Sequence, residues 1–265
     1  MADLAGLLAD LRAESADLDG LVAPLDDAAW ATPTPAAGWT VAHQIAHLAW
    51  TDSSAHLAAT DPDGFVAAVA AVVTEGRLDS YVDNAAEEGA RRSPAELLTH
   101  WRTTREALAR ALAATPPGTK VPWYGPPMSA ASLATARLME TWAHGEDVAE
   151  ALGTRRAPTA RLRHVAYLAV RTRGFSFLSR GLTPPGAEVR VELTAPDGSL
   201  WTFGPEEAPE RVTGPAVDFC RLATRRVHRD DVGLVATGPG ADRWLDIAQA
   251  FAGPPGAEPV PGGAR

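Results

Sequence analysis

The chain has 265 residues, 46% hydrophobic and 22% charged, the balance of a globular protein with room for one large domain or two modest ones. Its formal net charge of −9 argues against nucleic acid as a partner, because a phosphate backbone calls for a basic face. The single cysteine, Cys220, excludes an internal disulfide framework and a cysteine-rich zinc site.

No apolar run approaches the span of a bilayer, and the N-terminus shows no basic segment followed by an apolar one. A cytoplasmic protein with no membrane partner is expected.

A first helix is predicted from about Asp3 to Val22, with Leu4, Leu7, Leu8, Leu11, Leu18, Leu21 and Val22 at helical spacing. Pro24 stops it. The stretch from Thr32 to Gly38 is a loop by its proline and glycine content. Trp39 is the hydrophobic entry to a second helix, about Val41 to Ala59, with Thr40 as its N-cap. Val41, Ile45 and Leu48 give this helix a core side. His43 and His47, four apart, share a different face with Trp50 and Ser54.

Asp61-Pro62-Asp63-Gly64 breaks that helix, and a short apolar helix follows over Phe65–Val73, then another short segment over Tyr81–Ala90. Ser93-Pro94-Ala95-Glu96 combines a cap, a first-turn proline and a capping box, and starts a third long helix running to Ala114. The connector from Val121 to Ser129 carries Trp123 and Tyr124 among prolines, which suits a stiff wall or lid.

The fourth long helix is predicted from about Ser129 to Leu152, closed by Gly153. Arg137, Glu140, His144 and Asp147 fall on one stripe, each about a turn from the next. Leu138, Trp142, Gly145 and Ala149 form a separate apolar stripe. Four long helices, two of them with polar faces, indicate an up-down bundle with side chains projecting inward.

Arg161–Leu178 reads as one further helix, and the Gly181–Gly186 stretch as a domain boundary, giving domains 1–183 and 184–265. Beyond it the period changes to two. Strands are predicted at Val189–Leu193, Leu200–Phe203, Arg211–Thr213 and Leu234–Gly238. Helices are predicted from Gly214 to Thr224 and from Ala241 to Ala252, before a loose tail. The fold class is therefore α+β: a helical bundle followed by a small α+β domain. Arg221, Arg225, Arg226 and Arg229 cluster near the end of its first helix, where a basic C-terminus also suits the macrodipole. Cys220 reads as a buried core thiol.

A carboxylate and an imidazole at i and i+4 suit one divalent transition metal, but two ligands do not complete a site. A third must come from another helix, and spacing allows either His43 or His47.

The segment Trp39-Thr40-Val41-Ala42-His43-Gln44-Ile45-Ala46-His47-Leu48, with Glu140-Thr141-Trp142-Ala143-His144-Gly145-Glu146-Asp147 far downstream, resembles the DinB-like metal-binding bundles. The resemblance is nearest to the branch that contains mycothiol-dependent maleylpyruvate isomerase. It implies His47, Glu140 and His144 as ligands to one divalent ion, usually zinc, with nickel or iron as alternatives. It extends to Asp147, which would orient a ligand histidine from behind.

The branch often has Asp where His43 stands, leaving His43 as an outer partner, a fourth ligand or a general base. Arg225 or Arg226, by position, matches an arginine that holds an anionic substrate. Arg137 is placed to bind a carboxylate or steady Glu140. Trp50, Trp123 and Tyr124 are candidates for the pocket wall.

The implied activity is isomerisation or S-transfer on a small organic substrate with mycothiol as cosubstrate. The Ala/Arg/Gly/Pro-rich composition suits an actinobacterial source, where that thiol occurs. A monomer or homodimer is expected. Two other readings are a hydrolase or cyclase using activated water with His43 as base, and a non-catalytic binding module whose metal is closed by a fourth protein ligand.

Overall fold

The computed structural model describes residues 3–75 and 80–262. Met1, Ala2 and the last three residues of the expected tail lie outside them. The chain divides into two compact units, Met1–Arg155 and Arg156–Arg265.

The first unit is helical. Its elements are α1 (Leu4–Val22), α2 (Asp27–Trp30), α3 (Val41–Thr60), α4 (Pro62–Thr74), α5 (Tyr81–Ala90), α6 (Pro94–Ala114) and α7 (Ala130–Ala151). The long helices α1, α3, α6 and α7 form the up-down four-helix bundle, in which α3 packs on α6 and α7, and α1 packs on α7 and α6. Leu18, Trp30, Ile45, Leu48, Leu97, Trp101 and Val148 interlock in its core.

Local sequence sets these boundaries. Asp3 caps α1 by accepting from the Ala5 and Gly6 amides. Ser93 and Glu96 close the capping box of α6 with Pro94 in the first turn. Asp61 ends α3 and also caps α4, so its expected break is a corner with no loop.

The end of α7 is a Schellman motif. Gly153 N–H bonds Glu150 O at 3.0 Å, and Thr154 N–H bonds Ala149 O at 2.9 Å. Gly153 takes the left-handed conformation this needs, φ +64°.

The second unit holds α8 (Leu162–Arg171), α9 (Arg173–Leu178), β1 (Val189–Thr194), β2 (Leu200–Phe203), β3 (Glu210–Pro215), α10 (Ala216–Ala223), β4 (Val235–Thr237) and α11 (Pro239–Ile247). The sheet order is β2-β1-β3-β4, with β1 antiparallel to β2, parallel to β3, and β3 antiparallel to β4. Val189, Val191 and Leu193 of β1 are buried, as their alternation predicts.

Two expectations differ here. The single helix from Arg161 to Leu178 is broken at Thr172 into α8 and α9. Both helices belong to the second unit, so the division falls at 155/156, ahead of the expected 183/184. The cause is packing: α8 buries Leu162, Val165, Ala166 and Ala169 and lies against α10, where the buried Cys220 thiol faces Leu162 O at 3.5 Å.

Among the described residues, no helix is long and apolar enough to cross a membrane.

Candidate metal centre

Helices α3 and α7 pack side by side, and this brings His47 to Glu140 and His144. One ligand atom from each of the three lies within 4.8 Å of the others. His144 Nε2 is 3.1 Å from Glu140 Oε2, and His47 Nε2 is 3.5 Å from the same oxygen. The two imidazole rings are tilted at 49° with centroids 4.6 Å apart. His47 is buried, and Glu140 and His144 are partly so.

Burial, followed by the charge of His144, pushes the His47 imidazole down to about 4, so it is neutral at physiological pH, the form that ligates. Burial pushes the Glu140 carboxyl up, but the hydrogen bonds to His144 and His47 lead in outweighing this and hold it well below the usual carboxylate range. Two imidazoles and an ionised carboxylate converging out of water fit a divalent transition metal. Among the described residues, no fourth His, Cys, Asp or Glu joins this group.

The surroundings depart from the sequence reading at three residues. His43 is one turn away from the cluster and committed elsewhere. Its Nδ1 bonds Thr40 N at 3.2 Å and lies 2.8 Å from Thr40 Oγ1, closing a capping box, and its Nε2 is 3.0 Å from Glu87 Oε2. A residue with both ring nitrogens engaged is neither a fourth ligand nor a free base here.

Asp147 comes no nearer than 3.8 Å to His144 Nδ1, beyond hydrogen-bond reach. That nitrogen bonds Gln44 Oε1 instead. Arg137, expected to hold a carboxylate or steady Glu140, is 2% exposed and donates through Nε to Asp52 at 2.9 Å. Its Nη2 is buried with no hydrogen-bond partner among the described residues.

Aromatic residues extend from the cluster. Trp39 lies over both ligand histidines, with its ring centroid 5.3 Å from His47 and 6.0 Å from His144. Its Nε1 donates to Asp83 at 3.0 Å. The Trp50 ring centroid is 5.9 Å from that of His47. Trp50 contacts Tyr81 and Tyr124, and Phe65 stacks on Trp123.

The connector presents Trp123 and Tyr124 because Val121 and Met128 pair across its base. Tyr124 donates to Ser54 at 3.3 Å, and burial pushes its phenol up. Trp50, Trp123 and Tyr124 thus belong to one aromatic cluster that starts at His47. Gln44, Phe65 and Tyr81 are not among the site residues expected from sequence, and Trp39 is expected only as the entry to α3. Only Gln44 carried a signal, a polar residue beside the core positions Val41 and Ile45.

Residues 11–149 match the mycothiol maleylpyruvate isomerase N-terminal domain, a match that covers most of the bundle and all three clustered donors. The chain belongs to this family. Residues 185–237 match a second domain, described as wyosine base formation.

An uncharacterized protein of Mycobacterium tuberculosis, found in two strains, is 56% identical over 256 residues, covering 97% of this chain and 99% of that one. The crystal structure of the mycothiol-dependent maleylpyruvate isomerase is similar in fold, with a TM-score of 0.59 and 18% identity over 90% of this chain and 96% of that one. A histidine-to-alanine mutant of that isomerase matches equally.

Arg225 and Arg226 lie in the second unit, just past α10. Arg225 Nη2 donates to Ala257 O at 3.3 Å while its Nε, buried, has no hydrogen-bond partner among the described residues. Arg226 Nη1 donates to Thr224 O at 2.6 Å.

Proposed function

We propose that this chain is a metal-dependent enzyme that uses a low-molecular-weight thiol, mycothiol, in isomerisation or S-transfer on a small organic substrate. The observation that supports it most is the convergence of His47, Glu140 and His144 from two helices at the edge of an aromatic cluster, in a family named for a mycothiol-dependent isomerase.

His47, Glu140 and His144 are the residues proposed to hold the ion, with zinc first. A divalent ion bound there supplies a Lewis acid that lowers the pKa of a thiol or polarises a carbonyl. Trp39, Trp50, Trp123 and Tyr124 exclude water and offer flat apolar faces to the substrate. Three protein ligands leave a tetrahedral ion one position short, the arrangement of catalytic zinc sites.

The test is metal analysis of purified wild type beside His47→Ala, then turnover assays with and without mycothiol. Maleylpyruvate is the first substrate to try, since the structural relative is named for it. Zinc in wild type, none in His47→Ala, and thiol-dependent turnover are expected. Turnover that ignores thiol would replace this reading with a hydrolytic one. A protein that cannot be loaded with zinc, nickel or iron would remove it.

A further inference from the structure

The hydrogen bonds behind His144 run in one direction. Thr34 Oγ1 donates its only proton to the Trp39 carbonyl at 2.9 Å. The same oxygen accepts from Gln44 Nε2 at 2.8 Å. The Gln44 amide is thereby fixed, nitrogen toward Thr34 and Oε1 toward His144 Nδ1. An amide oxygen only accepts, so Nδ1 of His144 carries a proton.

Reversing the amide would draw the Thr34 proton away from Trp39 and leave the network one bond short. The Trp39 carbonyl would then keep only the Thr34 backbone N–H, at 2.8 Å.

We infer that Gln44 is a positioning residue for the metal site. By accepting the Nδ1 proton it fixes the His144 ring and presents Nε2 to the point where Glu140 Oε2 and His47 Nε2 meet. This rests on the metal reading proposed above. The protonation of Nδ1 does not.

The chain of bonds also gives the 32–40 loop two holds on the centre. The Trp39 ring covers both histidines, and its carbonyl anchors the relay that orients one of them. Asp147, 3.8 Å from the same nitrogen, is too far to replace Gln44.

Nitrogen NMR of the histidine rings in isotope-labelled protein reads Nδ1 directly, and competition with a chromogenic chelator reads zinc affinity. Nδ1 of His144 is expected to carry a proton in both the metal-free and the zinc-loaded protein. Gln44→Leu lowers zinc affinity by roughly 10- to 100-fold, the usual effect of removing a partner behind a ligand histidine. Gln44→Glu, which keeps an acceptor, rescues it.

Thr34→Val touches neither ligand nor Gln44's fold. It frees the amide to turn and lowers affinity by a smaller factor, so the proposal stays testable if Gln44→Leu misfolds. An unprotonated Nδ1 in wild type, or unchanged affinity in folded Gln44→Leu, overturns the inference. A wild type that takes up no zinc removes the positioning role along with the metal reading. The Nδ1 signal, which needs no metal, tells that failure from a failure of the relay.

Discussion

Arg137 Nε donates to Asp52 Oδ1 at 2.9 Å and so ties α7 to α3, the two helices that carry the metal donors. Their side chains are 2% and 6% exposed. Burial pushes the Asp52 carboxyl up, and the Arg137 charge opposes this. Asp52→Ala leaves a guanidinium uncompensated in the interior, and a loss of about 3–5 kcal/mol is expected. The double change Asp52→Leu with Arg137→Met removes both charges and costs less. Urea unfolding of the singles and the double forms the cycle that measures the coupling. Additive losses would mean that the pair does not hold the helices together.

The metal reading makes a stability prediction independent of turnover. Zinc at about 100 times its Kd stabilises wild type by about 2.7 kcal/mol through binding the folded state alone. His47→Ala, Glu140→Gln and His144→Ala should fold, since none of the three belongs to the interlocked apolar core, and gain nothing from zinc. Thermal melts with and without zinc decide this. A variant stabilised as much as wild type would remove its residue from the ligand set.

His43 separates a cap from a ligand. It closes the box with Thr40 and bonds Glu87 on α5. His43→Ala is expected to cost about 1 kcal/mol, the usual worth of a helix cap, and to leave zinc affinity intact. Urea melts and zinc titration on the same sample check both halves. Loss of zinc would restore His43 to the site.

The bundle also carries an acid-sensitive clamp. Asp19 on α1 accepts from Arg102 at 2.6 and 2.8 Å and from Arg105 at 2.7 Å, both on α6. The Arg102 hydrogen bond leads, against burial, in lowering the Asp19 pKa below 3.8. A lowered folded-state pKa means that the contribution is complete above 3.8 and is lost as pH falls through the folded value. Unfolding measured from neutral pH down to about 3 should therefore show a shallower acid decline in Asp19→Asn than in wild type. Parallel declines would mean that the clamp adds no pH dependence.

The sequence carried most of the bundle because its helix ends are chemically marked. Ser93, Pro94 and Glu96 fix the start of α6, and Gly153 the stop of α7. The Glu140/His144 pair was visible because both lie on one helix, where spacing alone sets geometry.

What lay between helices was not legible. Nothing in the order of residues says how far α3 is rotated against α7, and that rotation selects His47 over His43 and sets Gln44 behind His144. The same blindness sent Arg137 toward a ligand when its partner, Asp52, is 85 positions away. Asp27–Trp30 is too short to show a period, and the apolar side of α8 does not reveal which unit it covers.

Arg225 offers a last test, because its backbone is in a conformation its side chain disfavours. It stands at the end of α10 where Arg225 N–H bonds Leu222 O and Arg226 N–H bonds Arg221 O, the same motif that Gly153 completes on α7. Its φ of +60° is the one positive value among the non-glycine described residues. An L-residue there costs about 1 kcal/mol, so Arg225→Gly is expected to stabilise the protein by about that amount.

Such strain is tolerated where the side chain has work to do, and the resemblance implies anion binding. If Arg225 holds an anionic substrate, the glycine variant gains stability and loses affinity, seen as a raised KM with kcat little changed. Steady-state kinetics beside urea melts separate the two effects. A stabilised variant with wild-type KM would leave the strain without a function and take Arg225 out of substrate binding.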